Sequence, residues 1–214
     1  MPTDVWRNLA PAKRERVLAA ASAEFGRVGF SRGSLNTIAR EADVAKGSLF
    51  QYFDNKLDLF ATVGDEAARR VRAAMAPRLR ELSASLPTLA EALVEALVEW
   101  VRWFAAHPVE RGVVTATNLE MDGEVRRAVR GVAHRHYLEV LRPWVARAAA
   151  EGQLAPHADE DAVLAWLLLL VPHLAMAPFV PELDPVLGLH GADEETVRAA
   201  VRRMVAVLLP PPGM

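Results

Sequence analysis

No cysteine occurs among the 214 residues. Disulfides, thiolate nucleophiles, zinc–thiolate centres and cysteine-held iron–sulfur clusters are therefore excluded, and the composition suits a reducing compartment. No serine follows Ser85, and there is no Gly-x-Ser-x-Gly elbow, Walker loop, His-Glu-x-x-His or Gly-x-Gly-x-x-Gly. With those signatures missing, no catalytic residue, metal ligand or cofactor is nominated. The longest strongly apolar run, Ala162–Val171, is too short to span a bilayer, even extended through its prolines to Phe179. Residues 1–17 lack a basic-then-apolar secretory pattern. The expected location is the cytoplasm, with no membrane partner. Strand signals are almost absent as well, since no hairpin dipeptide sits between alternating apolar runs.

What remains is helical and unevenly charged. The net charge of −2 hides an asymmetry: residues 1–60 hold nine Lys or Arg against seven Asp or Glu, and residues 61–214 hold sixteen against twenty. All three lysines, Lys13, Lys46 and Lys56, fall in the first segment. A basic head on an acidic body suits a protein whose head meets a polyanion.

The periodicity predicts an all-α chain. Pro11 opens a helix over Lys13–Val28 with Val17, Leu18, Ala21 and Phe25 on one stripe, and Gly29 stops it. Ser34 caps a two-turn helix whose Leu35, Ile38, Ala39 and Ala42 face inward. Asp43-Val44 is a tight turn. A third short helix, Ala45–Phe53, offers Leu49, Phe50 and Phe53 as buried residues. Longer helices follow at about 56–75, 87–106, 109–118, 123–151, 159–177 and 192–209, broken at Pro77, Pro87, His107-Pro108, Asp122-Gly123, Gly152 and 178–191. The Pro210-Pro211-Pro212-Gly213 tail is a disordered stop.

Two short helices joined by a tight turn, with a third packed behind, make a helix-turn-helix whose second helix enters the major groove. Lys46, Gly47, Ser48, Gln51 and Tyr52 are expected on its outward face. Gln51 can pair bidentately with adenine and Ser48 can donate or accept at several base edges. Lys46, Tyr52 and Lys56 read as phosphate contacts, which position without specifying. The first-turn amides over Ser34–Thr37 offer a phosphate their exposed donors.

The stretch Thr37-Ile38-Ala39 through Gly47-Ser48-Leu49-Phe50, Tyr52-Phe53 and Lys56 closely resembles the N-terminal signature of the TetR family of bacterial transcriptional regulators. The upstream Ala23-Glu24-Phe25-Gly26-Arg27-Val28-Gly29-Phe30 resembles it too, so the likeness covers about residues 12–60. It implies an N-terminal helix-turn-helix DNA-binding domain (1–55) and a larger C-terminal helical domain for effector binding and dimerisation (56–214). DNA contacts are then expected from Thr37, Lys46, Gly47, Ser48, Gln51, Tyr52 and Lys56. The family's usual turn Gly is Asp43 here, the Ser capping the recognition helix is Ala45, and the Tyr of Gly-Thr-Leu-Tyr is Phe50. Loss of the cap costs about 1 kcal/mol. None of the three places bulk or negative charge in the middle of the recognition helix.

The resemblance implies a sequence-specific repressor released from a palindromic operator by a small apolar or amphipathic effector. A single helix-turn-helix makes few base contacts, so the body is expected to form a homodimer. The family uses its last two helices, and 159–177 is apolar on several faces, as a helix buried on nearly all sides must be. Trp100, Trp103, Phe104, His107, Met121, Trp144, Trp166 and His173 are the candidate effector-pocket residues, although aromatic and methionine side chains line ordinary cores equally well. His173 is either a satisfied core histidine or a ligand- or partner-facing donor. His134 and His136, two apart, share no helix face and read as surface or one pocket wall. The alternative function is a small-molecule carrier or an enzyme with a vestigial DNA-binding head.

Overall fold

The structure, a computed structural model, describes residues 2–156 and 158–209. Among them are ten helices and no strand: α1 Asp4–Arg7, α2 Pro11–Arg32, α3 Leu35–Glu41, α4 Lys46–Tyr52, α5 Lys56–Ser85, α6 Leu89–Ala106, α7 Pro108–Asn118, α8 Gly123–Ala150, α9 Glu160–Met176 and α10 Glu194–Ala206. The tail at 210–213 lies outside the described residues. Two compact units result. One comprises residues up to Arg69 with His107–Ala133, the other Arg70–Ala106 with the chain from His134 onward. The unit holding the helix-turn-helix is thus larger than residues 1–55, because α7 and the first turns of α5 and α8 complete its core.

That core follows from the α2 stripe. Val17, Ala21 and Phe25 are fully buried and meet Ile38 of α3, Leu49 of α4 and Phe60 of α5. Phe25 and Phe60 pack edge-on with centroids 5.0 Å apart, and Phe30 joins Phe60 at 5.3 Å. Side chains of this size contribute roughly 1.5–3 kcal/mol each when fully buried. The α2 helix does break where expected. Gly29 adopts φ 76°, ψ 176°, a backbone open to glycine, and one further helical turn follows it. Helices α2 and α7 cross on a pair of glycines: a Cβ on Gly112 would stand 2.7 Å from the Gly26 carbonyl oxygen.

The second unit is organised by α6, which packs against both α9 and α10. Leu93, Leu97, Trp100 and Phe104 are buried along it. The Trp100 Nε1–H donates to the Val171 carbonyl of α9 at 2.9 Å. Arg198 of α10 pairs with Glu95 of α6, and Arg102 reaches Glu194 at 2.7 Å. The break predicted at Pro77 is absent, since α5 runs through it to Ser85. A proline removes one intrahelical bond, and tertiary contacts hold the turns beyond it. Trp144 Nε1–H donates to the Ser83 hydroxyl at 3.1 Å, and Arg78 binds Glu99 at 2.5 and 2.9 Å.

Candidate functional site

The turn between α3 and α4 is a left-handed helix stop built on Asp43. Its φ is 54°, the Asp43 amide donates to the Arg40 carbonyl at 3.2 Å, and the Val44 amide donates to the Ala39 carbonyl at 3.0 Å. These two bonds form the paired closure that usually has glycine at the left-handed position. Aspartate tolerates that conformation better than most residues. The α3 helix begins as expected, with Ser34 Oγ accepting from the Thr37 amide at 3.3 Å. The Ser34 amide itself donates to Glu24 Oε1 at 3.0 Å. Glu24 is only 6% exposed. Burial pushes its carboxyl up, but the bonds from Arg27 and the Ser34 amide, with the charges of Arg27 and Arg40, outweigh burial and leave it below its ordinary value.

Helix α4 has no side-chain cap at Ala45. Its other end is held by a segment the sequence reading passed over. Thr3 Oγ1–H donates to the Gln51 carbonyl at 2.7 Å, and the Thr3 amide donates to the Tyr52 carbonyl at 3.0 Å. Trp6 of α1 lies 4.7 Å from the Phe53 ring and 5.9 Å from the Tyr52 ring. The last carbonyls of a helix have no partner within it, and Thr3 supplies one to each of two. Thr3 as the N-cap of α1 and a tryptophan three residues on were the available signals.

Two predicted residues of α4 exchange places. Tyr52 is 3% exposed and Phe50 is 52% exposed. Leu49 points inward, and on a helix the residues three and four ahead of it, Tyr52 and Phe53, share its face. Phe50, a step of about 100° round the helix, turns outward. Tyr52 is therefore a core residue, packed at a tilt against Trp6 with Lys13 Nζ 5.9 Å from its ring, and not an outward phosphate contact. Lys46, Gly47, Phe50 and Gln51 form the exposed face, with Ser48 half-buried at its edge. Nothing stands within 4 Å of a Cβ built on Gly47.

Lys56 is engaged inside the head. Its Nζ donates to the Gly33 and Ser31 carbonyls at 3.1 and 3.2 Å and sits 4.6 Å from the Phe30 ring. It closes the end of α2. Thr37 is half-buried on the wall of a 580 Å³ cleft between α2 and α3.

The residues nominated for an effector pocket are not one constellation. Trp100, Phe104 and Trp103 do cluster: Phe104 packs edge-on to each tryptophan at 4.9 Å. Tyr137, which the sequence reading did not nominate, joins Trp100 at 5.9 Å, and burial pushes its phenol well up. Its place on α8 opposite an aromatic of α6 is invisible to local periodicity. Trp144 is buried elsewhere in the same unit, on Ser83. Trp166 and His173 are half-buried on α9. The Asp184 carboxylate accepts the amides of Val186, Leu187 and Leu189 at 3.0–3.2 Å, and these bonds outweigh its burial and hold it below its ordinary value. His107 belongs to the other unit. Met121 is 85% exposed in the segment before α8, a position from which it lines no interior pocket of its own unit.

Residues 17–63 match the family model described as bacterial regulatory proteins, tetR family. Over 201 residues the chain is 26% identical to the HTH-type transcriptional repressor SCO4008 of Streptomyces coelicolor, with 91% of this chain and 95% of that protein covered. Among solved structures, the fatty acid degradation regulator FadR from Bacillus halodurans superposes with a TM-score of 0.68 at 16% identity, covering 94% of this chain and 98% of that one. NalD, the secondary repressor of the MexAB-OprM multidrug efflux pump in Pseudomonas aeruginosa, gives 0.65 at 24% identity, over 94% and 99%. FadR from Bacillus subtilis in complex with stearoyl-CoA gives 0.68 at 17%, over 89% and 96%. The fold is common to all three, and no helix of the described residues is long and apolar enough to cross a membrane. The matched stretch is the helix-turn-helix itself, with its turn at Asp43 and its exposed face on α4. The helix-turn-helix of this chain, residues 17–63, is thus that of the tetR family of bacterial regulatory proteins, and the chain as a whole is similar to a repressor that carries one.

Proposed function

We propose that the protein is a dimeric repressor that reads a palindromic operator through α4 and leaves it when a small apolar or amphipathic effector binds the body. One observation carries the DNA half of this reading. The outer face of α4 bears Lys46, Gly47, Phe50 and Gln51, all exposed, while its inner face and its final carbonyls are fixed. Gly47 costs a helix about 1 kcal/mol relative to alanine, and no neighbour in the chain needs the space it leaves. Space on a rigid face that also presents Lys46 and Gln51 favours a partner that comes close, as a duplex does. Gln51 is the assigned base reader and Lys46 the phosphate contact.

The dimer reading is supported by α9. Ala162, Ala165 and Leu169 are exposed and Trp166 is half-buried, all on one stripe at helical spacing. Leu169 is 69% exposed, and an apolar stripe of that kind marks an interaction surface. The effector reading is supported by the Trp100–Phe104–Tyr137 cluster, apolar apart from one phenol. The stearoyl-CoA bound by the Bacillus subtilis FadR is an amphipathic ligand of the class proposed. Effector and DNA then weaken each other's binding by the same factor.

The test is selection of randomised DNA fragments by the purified protein, followed by affinities at two salt concentrations. An inverted repeat bound far above random DNA is expected. Lys46→Ala should weaken binding to all sequences and lower the salt slope by about one, while Gln51→Ala should relax the preference at particular base pairs. Weak, uniformly salt-sensitive binding with no selected sequence refutes the operator reading and favours a carrier with a vestigial head.

A further inference from the structure

Beyond the operator and effector readings, we propose that a groove on the second unit, between the C-terminal halves of α5 and α8, binds an amphipathic anion: a carboxylate or phosphate head on a short apolar chain. The groove encloses 430 Å³, within the size range of small-molecule sites. Two small side chains leave the space open, Ala76 on α5 and Pro143 on α8.

Its floor is apolar and already satisfied. Leu79 and Trp144 are buried there, with half-buried Val140 beside them. The Trp144 Nε1–H donates to Ser83 Oγ at 3.1 Å, and that hydroxyl donates to the Leu79 carbonyl at 2.6 Å. The indole is thus pinned, and neither polar atom needs a ligand partner. Such a floor takes a hydrocarbon chain without leaving a buried donor unsatisfied.

The rim supplies the sign of the head. Glu139 is paired with Arg72, and Arg147 Nε–H donates to Glu151 Oε1 at 2.7 Å. Arg80, exposed on the same rim, has neither an ion pair nor a hydrogen bond among the described residues. The groove therefore carries one uncompensated positive charge beside an apolar floor. A guanidinium presents a planar fork of donors that matches a carboxylate or a phosphate. An amine would be repelled, and a neutral alcohol would gain only the floor.

Calorimetric titration of the full-length protein with octanoate, octyl phosphate, octanol and octylamine tests this directly. Both anions are expected to bind, octanol about tenfold more weakly through loss of a charged hydrogen bond, and octylamine not measurably. Arg80→Ala should cost the anions about tenfold and leave octanol unchanged. Ala76→Phe should remove all binding by filling the groove. Arg80→Glu is also exposed, so it leaves the packing intact; it should abolish anion binding while circular dichroism stays native. Anion affinity unchanged in the Arg80 variants, equal binding of octylamine, or no heat from either anion overturns the assignment. The site does not depend on the operator reading, since DNA selection neither supports nor harms it.

Discussion

Gly112→Ala is a sharp test of how the head is assembled. In most helices this change stabilises, because alanine is favoured over glycine by about 1 kcal/mol. Here the new Cβ would lie 2.7 Å from the Gly26 carbonyl oxygen, 2.9 Å from its Cα and 3.0 Å from its carbonyl carbon. All three are backbone atoms of α2, so no side-chain rotation relieves them. Ordinary contact begins at 3.4 Å, so the helices must part by about 0.7 Å along that line, the difference between 3.4 and 2.7 Å. Overpacking of this kind costs about 1–3 kcal/mol, which leaves a net effect between neutral and about 2 kcal/mol destabilising. The reference is Gly131→Ala in α8, where nothing lies within 4 Å of the added carbon and the full gain of about 1 kcal/mol is expected. Urea unfolding followed by circular dichroism compares the two midpoints. Adding Gly26→Ala to Gly112→Ala should cost less than the sum of the single changes, because one separation of the helices serves both. If Gly112→Ala stabilises as much as Gly131→Ala, the close crossing of α2 and α7 is wrong.

Further outcomes follow from the head. Phe50→Tyr restores a hydroxyl on the exposed face of α4 and should tighten binding to selected and random DNA alike, read by fluorescence anisotropy; a change of sequence preference would show that position 50 contacts a base. Ala45→Ser should raise the unfolding free energy by about 1 kcal/mol by capping α4, and no gain would mean that the first turn of α4 already has its donors satisfied. Tyr52→Phe should leave DNA affinity unchanged, since the ring is buried against Trp6; a clear loss would return Tyr52 to the interface. Glu24 gives a pH dependence. Its carboxyl lies below the ordinary value of 4.5 in the folded chain, so its contribution is complete above that value and is lost as pH falls through the folded one. Between about pH 7 and about pH 3, Glu24→Gln should lose less stability than the parent protein; equal losses would remove Glu24 from the account.

Much of the head was legible because its rules are local. Ser34 as a cap and Gly29 as a stop each follow from one residue and its neighbours, and both stand in the structure. The Phe50–Tyr52 exchange shows where local reading failed. Both are aromatic, so composition could not rank them, and only the turn angle counted from Leu49 decides which is buried. The α1 arm was missed because four helical residues carry no periodicity, and its partner lies some fifty positions along the chain. Pro77 misled for a related reason: the forces that continue α5 beyond it come from Trp144 and Glu99, remote in sequence. In the body, helix positions were legible but the side-chain groupings were not. Trp100 meets Tyr137 and Trp144 meets Ser83 only through the packing of helices that share no local signal.

The hold that Thr3 keeps on α4 has an evolutionary consequence. It grips the main chain, at the carbonyls of residues 51 and 52, and a main-chain carbonyl is the same whatever side chain the position carries. The outward residues of α4 can therefore change without loosening the helix that presents them. A seven-residue helix could not stand alone in water. Anchored by its backbone from a distant residue, it becomes a fixed mount with interchangeable outward side chains; under the proposed operator reading, a new address in the genome then needs no change in the mount.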